Sequence, residues 1–214
     1  MAFSKWSNVQ VAIGTLGTAV PINTLSKANP GLVEYTGTDP ATGDYVALTS
    51  ILGMVQVNNR IFRVGNEDTV GDDFELESED TTLYDTFVSG NFQPVTFGTS
   101  LSVAAGVAVS GGDFAFLDTT TIHDTQQTQI PGLAAATAFT FDCFWDPSDA
   151  GLAALVAASN AQAQRALRLT FANAYKYLLL GYVGATLSPT GNAQEMVKTS
   201  VVFTAFGRSK TYTT

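Results

Sequence analysis

The sequence predicts a mainly β protein with one α-helix and a small β-barrel-like domain inserted in the chain. Three observations carry this. Charged residues make up 14% of the 214 positions, well under the usual quarter, and Thr, Ser, Ala, Gly and Val fill their place, a mixture that favours strands and turns. Between residues 24 and 95, short apolar runs alternate with Pro and Gly punctuation at strand spacing. A convincing helix start occurs once, after Trp145. The hydrophobic content of 45% is ample for a core.

Taken in order, Val9 to Ile13 reads as a short strand followed by a loose Gly/Thr-rich segment. From Thr24 onward, Pro30, Gly31, Asp39, Pro40 and Gly43 separate four strand candidates. These are Leu32 to Thr36, Tyr45 to Thr49, Arg60 to Val64 and Phe74 to Leu76, enough for a small barrel or roll. Asn58-Asn59 marks a tight turn into the third of them. Glu75, Glu77 and Glu79 recur at period two and are followed by Asp80, which predicts one exposed acidic strand face. Past Pro94 a Thr/Val/Ala-rich stretch leads to Gly111-Gly112 and the run Phe114 to Leu117. The segment Asp118 to Gly132 has no apolar run and is long for a connection, as functional or interfacial loops commonly are.

Phe139 to Trp145 alternates as a strand and ends at the helix signal. Asp146 is the expected N-cap, with Pro147 at the first helical position and Asp149 in the first turn. Leu152, Leu155, Val156 and Ser159 then recur at helical spacing, and the helix is expected to end between Asn160 and Ala163. Arg165 to Phe171, Tyr177 to Val183 and Glu195 to Phe206 are further strands. In the last, Val197, Val201, Phe203 and Ala205 share one face and Met196, Ser200, Val202, Thr204 and Phe206 the other. Neither face is cleanly polar, which predicts a strand covered by core on one side and by helix or a neighbour on the other.

Charge divides the chain. No Lys or Arg occurs from Val64 to Gln164, 101 residues that hold fifteen of the nineteen acids. Residues 24–95 carry Lys27, Arg60 and Arg63 against twelve acids, 3 − 12 = −9, and the rest balances at 7 − 7 = 0. The whole net charge therefore belongs to the inserted segment. Nucleic-acid grip needs clustered cations, and basic patches interleaved with aromatics are absent.

Catalytic, metal and cofactor readings find no support. His123, the single histidine, sits beside Asp124 in the polar loop and reads as loop hydrogen bonding. Cys143, the single cysteine, lies in an alternating strand and reads as a buried, inert thiol. Too few His and Cys exist for a zinc site, the acids from Glu67 to Asp80 lack the calcium-loop order, and no phosphate-cradling Gly/Lys loop opens a helix. Met1 to Trp6 lacks a charged leader followed by an apolar stretch, and no run approaches membrane length. A soluble, cytoplasmically made protein without catalytic residues or cofactors is expected.

Two sets of segments resemble a known family. Asp118-Thr-Thr-Thr-Ile-His-Asp-Thr with Ile130-Pro-Gly, then Phe139-Thr-Phe-Asp-Cys-Phe-Trp-Asp-Pro-Ser-Asp-Ala-Gly, Arg168-Leu-Thr-Phe-Ala-Asn and Val197 to Arg208, resemble the major tail tube protein of long, non-contractile-tailed bacteriophages. The stretch containing Lys27 to Pro30, Gly43 to Val46, Gly53-Met54, Asn59 to Val64 and Phe74 to Leu76 resembles a small β domain inserted in some phage tail proteins. The resemblance implies a β-sandwich or rolled sheet flanked by a helix, formed by residues 1–23 and 96–214, with 24–95 as the insert. It implies six copies per ring and rings stacked into the conduit through which DNA leaves the virion.

Partners implied are other copies of the chain, tail-tip or baseplate, tape-measure and tail-terminator proteins, and the passing DNA without sequence-specific binding or membrane insertion. Assembly in the host cytoplasm is expected. Contacts between subunits or rings are expected from the polar loop at Asp118, Thr120, Ile122, His123, Asp124, Gln127, Ile130 and Pro131. The acidic face of Glu75, Glu77, Glu79 and Asp80 is expected outside the tube, since a barrel about 20 Å across would crowd the channel. The competing reading is a β-rich decoration or host-attachment module that uses the insert as its contact face.

Overall fold

One long strand, β7 (Ser89–Ser100), ties the molecule together. The computed structural model describes residues 6–37, 40–68 and 71–213; Met1 to Lys5 and Asp39, read above from sequence, lie outside them. The first half of β7 belongs to a closed barrel with β2 (Val20–Leu25), β3 (Leu32–Tyr35), β6 (Asp73–Leu76), β5 (Arg60–Asp68) and β4 (Tyr45–Leu52), in the order β2-β3-β6-β5-β4-β7. Closure comes from the pairs Val20↔Phe92 and Pro21↔Asn91 between β2 and β7. Every other residue of these strands points inward, so Val33, Val46, Leu48, Phe62, Phe74, Leu76 and Phe92 are buried. Tyr35, Phe74 and Phe92 meet edge-on, with centroids 5.0 and 5.3 Å apart for the two pairs that include Phe92. Each such pair adds about 0.5–1.5 kcal/mol beyond area burial.

The second half of β7 opens a larger sheet. It pairs β1 (Gln10–Leu16), and the order continues β1-β12-β13-β14-β11-β8. These are β12 (Arg165–Thr170), β13 (Lys176–Ala185), β14 (Lys198–Ala205), β11 (Ala138–Phe144) and β8 (Ala104–Ser110), with β15 (Lys210–Tyr212) added on β13. The sheet rolls around one core. Val11, Ile13, Leu167, Leu169, Leu179, Phe139, Phe141, Val201 and Phe203 point into it, and α1 (Ala150–Asn160) closes it with Leu152, Leu155 and Ala158. On the outside of the roll, Ala166, Leu178, Leu180 and Tyr212 pack against Tyr45, Ala47, Ile61 and Val95 of the barrel.

Several expectations change. The helix N-cap is Asp149, not Asp146: Asp149 Oδ1 accepts from the Leu152 N–H at 2.9 Å. Asp146 instead closes a turn, accepting from the Ser148 N–H at 2.9 Å. The helix lies on the core side of β14, so it does not cover the second face of that strand; Val202 and Phe206 are exposed there. Val20 to Ile22, read as the end of a loose segment, belong to a barrel strand, β2. Asn59 turns with φ 56° ahead of β5, as its place in the Asn-Asn turn requires.

The predicted acidic strand face also fails. The strand β6 ends at Leu76, Ser78 turns with φ 56°, and Glu77 and Glu79 fold back onto cations. Glu79 is 4% exposed; it binds Arg60 and Lys210 and accepts from the Tyr84 hydroxyl at 2.8 Å. Glu77 pairs with Arg63. Asp80 remains exposed and accepts from Thr82.

Candidate assembly surface

The segment read as a long polar loop is a hairpin that stands off the roll. Gly111 (φ +78°) and Gly112 (φ +87°) turn the chain out of β8; a Cβ on Gly111 would lie 2.1 Å from the Ala136 carbonyl oxygen, so no other residue fits. Two strands follow, β9 (Phe114–Asp118) and β10 (Gln129–Ala134), in register through Asp118↔Gln129, Leu117↔Ile130 and Phe116↔Pro131. All of β9 is exposed, and all of β10 except Gly132. Ile130 and Pro131 therefore sit in a strand, not in a loop.

Between the strands, residues 119–128 form a self-fastened tip. The Thr119 N–H donates to the Thr128 carbonyl at 3.0 Å, and Asp118 accepts from the Thr120 N–H at 2.8 Å and from Gln127 Nε2 at 3.1 Å. Asp124 accepts from the Thr121 N–H at 2.7 Å. These bonds hold the carboxyls of Asp118 and Asp124 below the usual range, through Thr120 and Thr121 respectively. The tip presents Ile122, 97% exposed, and His123.

Along the arms Phe114, Phe116, Leu117, Ile130 and Leu133 are each more than half exposed. An isolated two-stranded hairpin is marginal in water, and here both faces carry exposed apolar side chains, Phe114 and Phe116 on one and Leu117 with Ile130 on the other, which marks a protein contact. At its root a groove of about 690 Å³ runs between Phe114, Tyr177, Leu179 and Phe206.

A second open surface adjoins the hairpin. The outer face of β8, β11 and β14 places Ala108, Thr140 and Val202 side by side, then Gly106, Asp142 and Ser200. Asp142 thus faces out of the roll. The residues directly across from it are small and uncharged, and Phe144 and Lys198 form the next pair along the same face. Among the described residues β8 pairs only with β11, so its far edge offers a row of unpaired backbone groups with no charged side chain to guard it. Soluble monomers avoid such edges.

Neither reactive side chain lies in a catalytic setting. His123 is on the exposed tip, 20 residues along the chain from Cys143. Cys143 is fully buried, and burial, aided by Asp149 and Asp142, pushes its thiol up to about 11. Among the described residues no three His, Cys, Asp or Glu converge as metal ligands.

A rolled sheet with an uncovered face, an unguarded edge and an apolar hairpin has the surfaces of a subunit that assembles. The model of the phage tail tube protein family, TTP, matches residues 52–214, and the chain belongs to that family. No curated protein matches it. Membership makes this a structural protein of the virion tail that assembles with itself and with other tail proteins. The match begins inside the barrel, at the last residue of β4, and covers every strand of the roll except β1.

Proposed function

We propose that six copies close into a ring and that rings stack into the hollow tube through which genomic DNA leaves for the host. The carrying observation is the hairpin of β9 and β10, whose five large apolar side chains are exposed in the single subunit. Its arms supply contacts between subunits, and its tip, with Asp118, Thr120, Ile122, His123, Asp124 and Gln127, reaches the next ring. The edge of β8 pairs with a strand of the neighbouring subunit, since closure in a ring removes open edges.

The outer face of β8, β11 and β14 lines the bore. Most of this face is small Ala, Thr, Ser and Gly with Asp142, and Lys198 at the start of β14 is its single cation, too few for clustered phosphate contacts. The barrel, built from residues 20–95 and holding the full −9 charge, sits outside the tube, between it and solvent. A compact unit of that length has a radius of gyration of about 11 Å, too large for a channel that passes DNA. Glu75 and Asp80 face solvent there and keep tubes apart. Tail-tip, tape-measure and terminator proteins meet the ends and interior of the tube, and assembly takes place in the host cytoplasm.

Negative-stain microscopy of the purified protein, concentrated with and without tail-tip components, tests this reading. Tubes or rings of uniform bore are expected. A strict monomer, or a trimer that binds only to preformed particles, contradicts it and favours a decoration role.

A further inference from the structure

Arg168 is half-buried in the junction between barrel and roll, and it has no counterion among the described residues. Its plane is held by Phe97, at 4.5 Å from the ring centroid, and by Tyr45, at 5.9 Å. Its Nε is buried and has no hydrogen-bond partner. The ion pairs among the described residues are Arg60–Glu79, Arg63–Glu77 and Lys210–Glu79, and Arg168 is in none of them. It lines an open pocket of about 310 Å³ with Tyr45, Pro94 and Phe97. Asp44 lines the same pocket, yet its carboxylate is turned to the Ala41 N–H at 3.1 Å. A partly buried charge left unpaired is costly, and stacking between aromatics holds the planar fork ready for a carboxylate.

We propose that Arg168 is the docking point for a carboxylate of a neighbouring copy of this chain, supplied by Asp113 at the root of its hairpin. The proposal rests on the self-assembly reading above. Outside the barrel, five of the seven acids accept hydrogen bonds within the chain: Asp118, Asp124, Asp146, Asp149 and Glu195. Asp113 and Asp142 have no side-chain partner among the described residues. Asp142 belongs to the small-residue face assigned to the bore. Asp113 belongs to the element that reaches out from the subunit. A protein carboxylate suits the site better than a phosphate, because Asp44 and the acidic barrel next to it repel a dianion more strongly. The walls formed by Tyr45, Pro94 and Phe97 also fit a packed peptide segment.

The test measures the concentration for half assembly by sedimentation, alongside the melting temperature of the unassembled subunit. Arg168→Met keeps the stem and removes the charge; it is expected to raise the half-assembly concentration about thirtyfold or more, with the subunit still folded and cooperative. Arg168→Lys keeps the charge without the fork, and an intermediate rise is expected. The swap Arg168→Asp with Asp113→Arg is expected to recover assembly lost in Arg168→Asp alone. Unchanged assembly in both the Met and Lys variants overturns the proposal, as does a loss in the Met variant explained by an unfolded subunit while the Lys variant assembles normally. Recovery with Asp142→Arg instead overturns the choice of Asp113. A wild-type chain that never assembles overturns the functional reading and this inference together.

Discussion

Replacing Glu79 with Ala removes a carboxylate that, among the described residues, is the one ion-pair partner of both Arg60 and Lys210. The carboxylate is 4% exposed and Arg60 is 7% exposed. Arg60 donates to both its oxygens, the second at 3.2 Å, and Tyr84 donates at 2.8 Å. Lys210 adds a third donor from β15, and it also reaches the Ser78 carbonyl at 2.8 Å. Truncating one partner of a buried pair costs about 3–5 kcal/mol, because the charge left behind stays desolvated. Lys210 keeps Ser78 and can turn to water, so the lower end, about 3 kcal/mol, is expected.

Urea unfolding of the unassembled subunit reads this as a lower midpoint with an unchanged slope. The pH dependence supplies a second check. Burial pushes Glu79 up, but the bonds from Arg60, Lys210 and Tyr84 outweigh it and hold the folded carboxyl below its ordinary value of 4.5. A lowered folded pKa gives stability that is complete above about pH 4.5 and is lost as pH falls through the folded value. Glu79→Gln should therefore be destabilised at pH 7 and lose part of the decline below pH 4.5. A loss under about 1 kcal/mol for the Ala variant, against the 3–5 expected of a buried pair, refutes the reasoning. So does an acid decline in Glu79→Gln identical to that of the wild type.

Further outcomes follow from the helix, the thiol and the hairpin. Asp149→Ala removes the N-cap and should cost about 1 kcal/mol in the same unfolding assay, whereas Asp146→Ala, outside the helix, should cost less. Cys143 should resist alkylation at pH 8 in the folded protein, where its thiol is buried and pushed up to about 11, and react fully in denaturant; fast labelling of the native protein would show that the strand opens. Phe116→Asp with Leu133→Asp should leave the subunit melting temperature nearly unchanged, since both side chains are exposed, while abolishing assembly in a sedimentation assay.

Much of the architecture was legible because strand signals are local. Alternation alone located β5, β11 and β14 and sorted Val201 and Phe203 from Val202. Two strands gave no clean strand pattern: Pro21 lies in β2 and Pro131-Gly132 in β10, and both strands sit where a missing N–H or a close approach is tolerated. The helix cap slipped by one turn because Asp146 and Asp149 are both good caps; only the hydrogen bond to Leu152 chooses between them. The acidic face failed for a different reason. The partners of Glu79 lie 19 and 131 residues away, and no period in the sequence encodes a contact at that range. The hairpin was found as a segment but not as a surface, because exposure of Phe116 and Leu133 is a property of the folded roll.

The most direct test of the account is a cryo-electron density map of the assembled protein. The account predicts sixfold rings stacked around a bore lined by β8, β11 and β14, with the hairpin of β9 and β10 buried between subunits and the barrel outside. Density that places Glu75 and the barrel in the lumen, or leaves Phe116 and Leu133 facing solvent in the assembled particle, would contradict it.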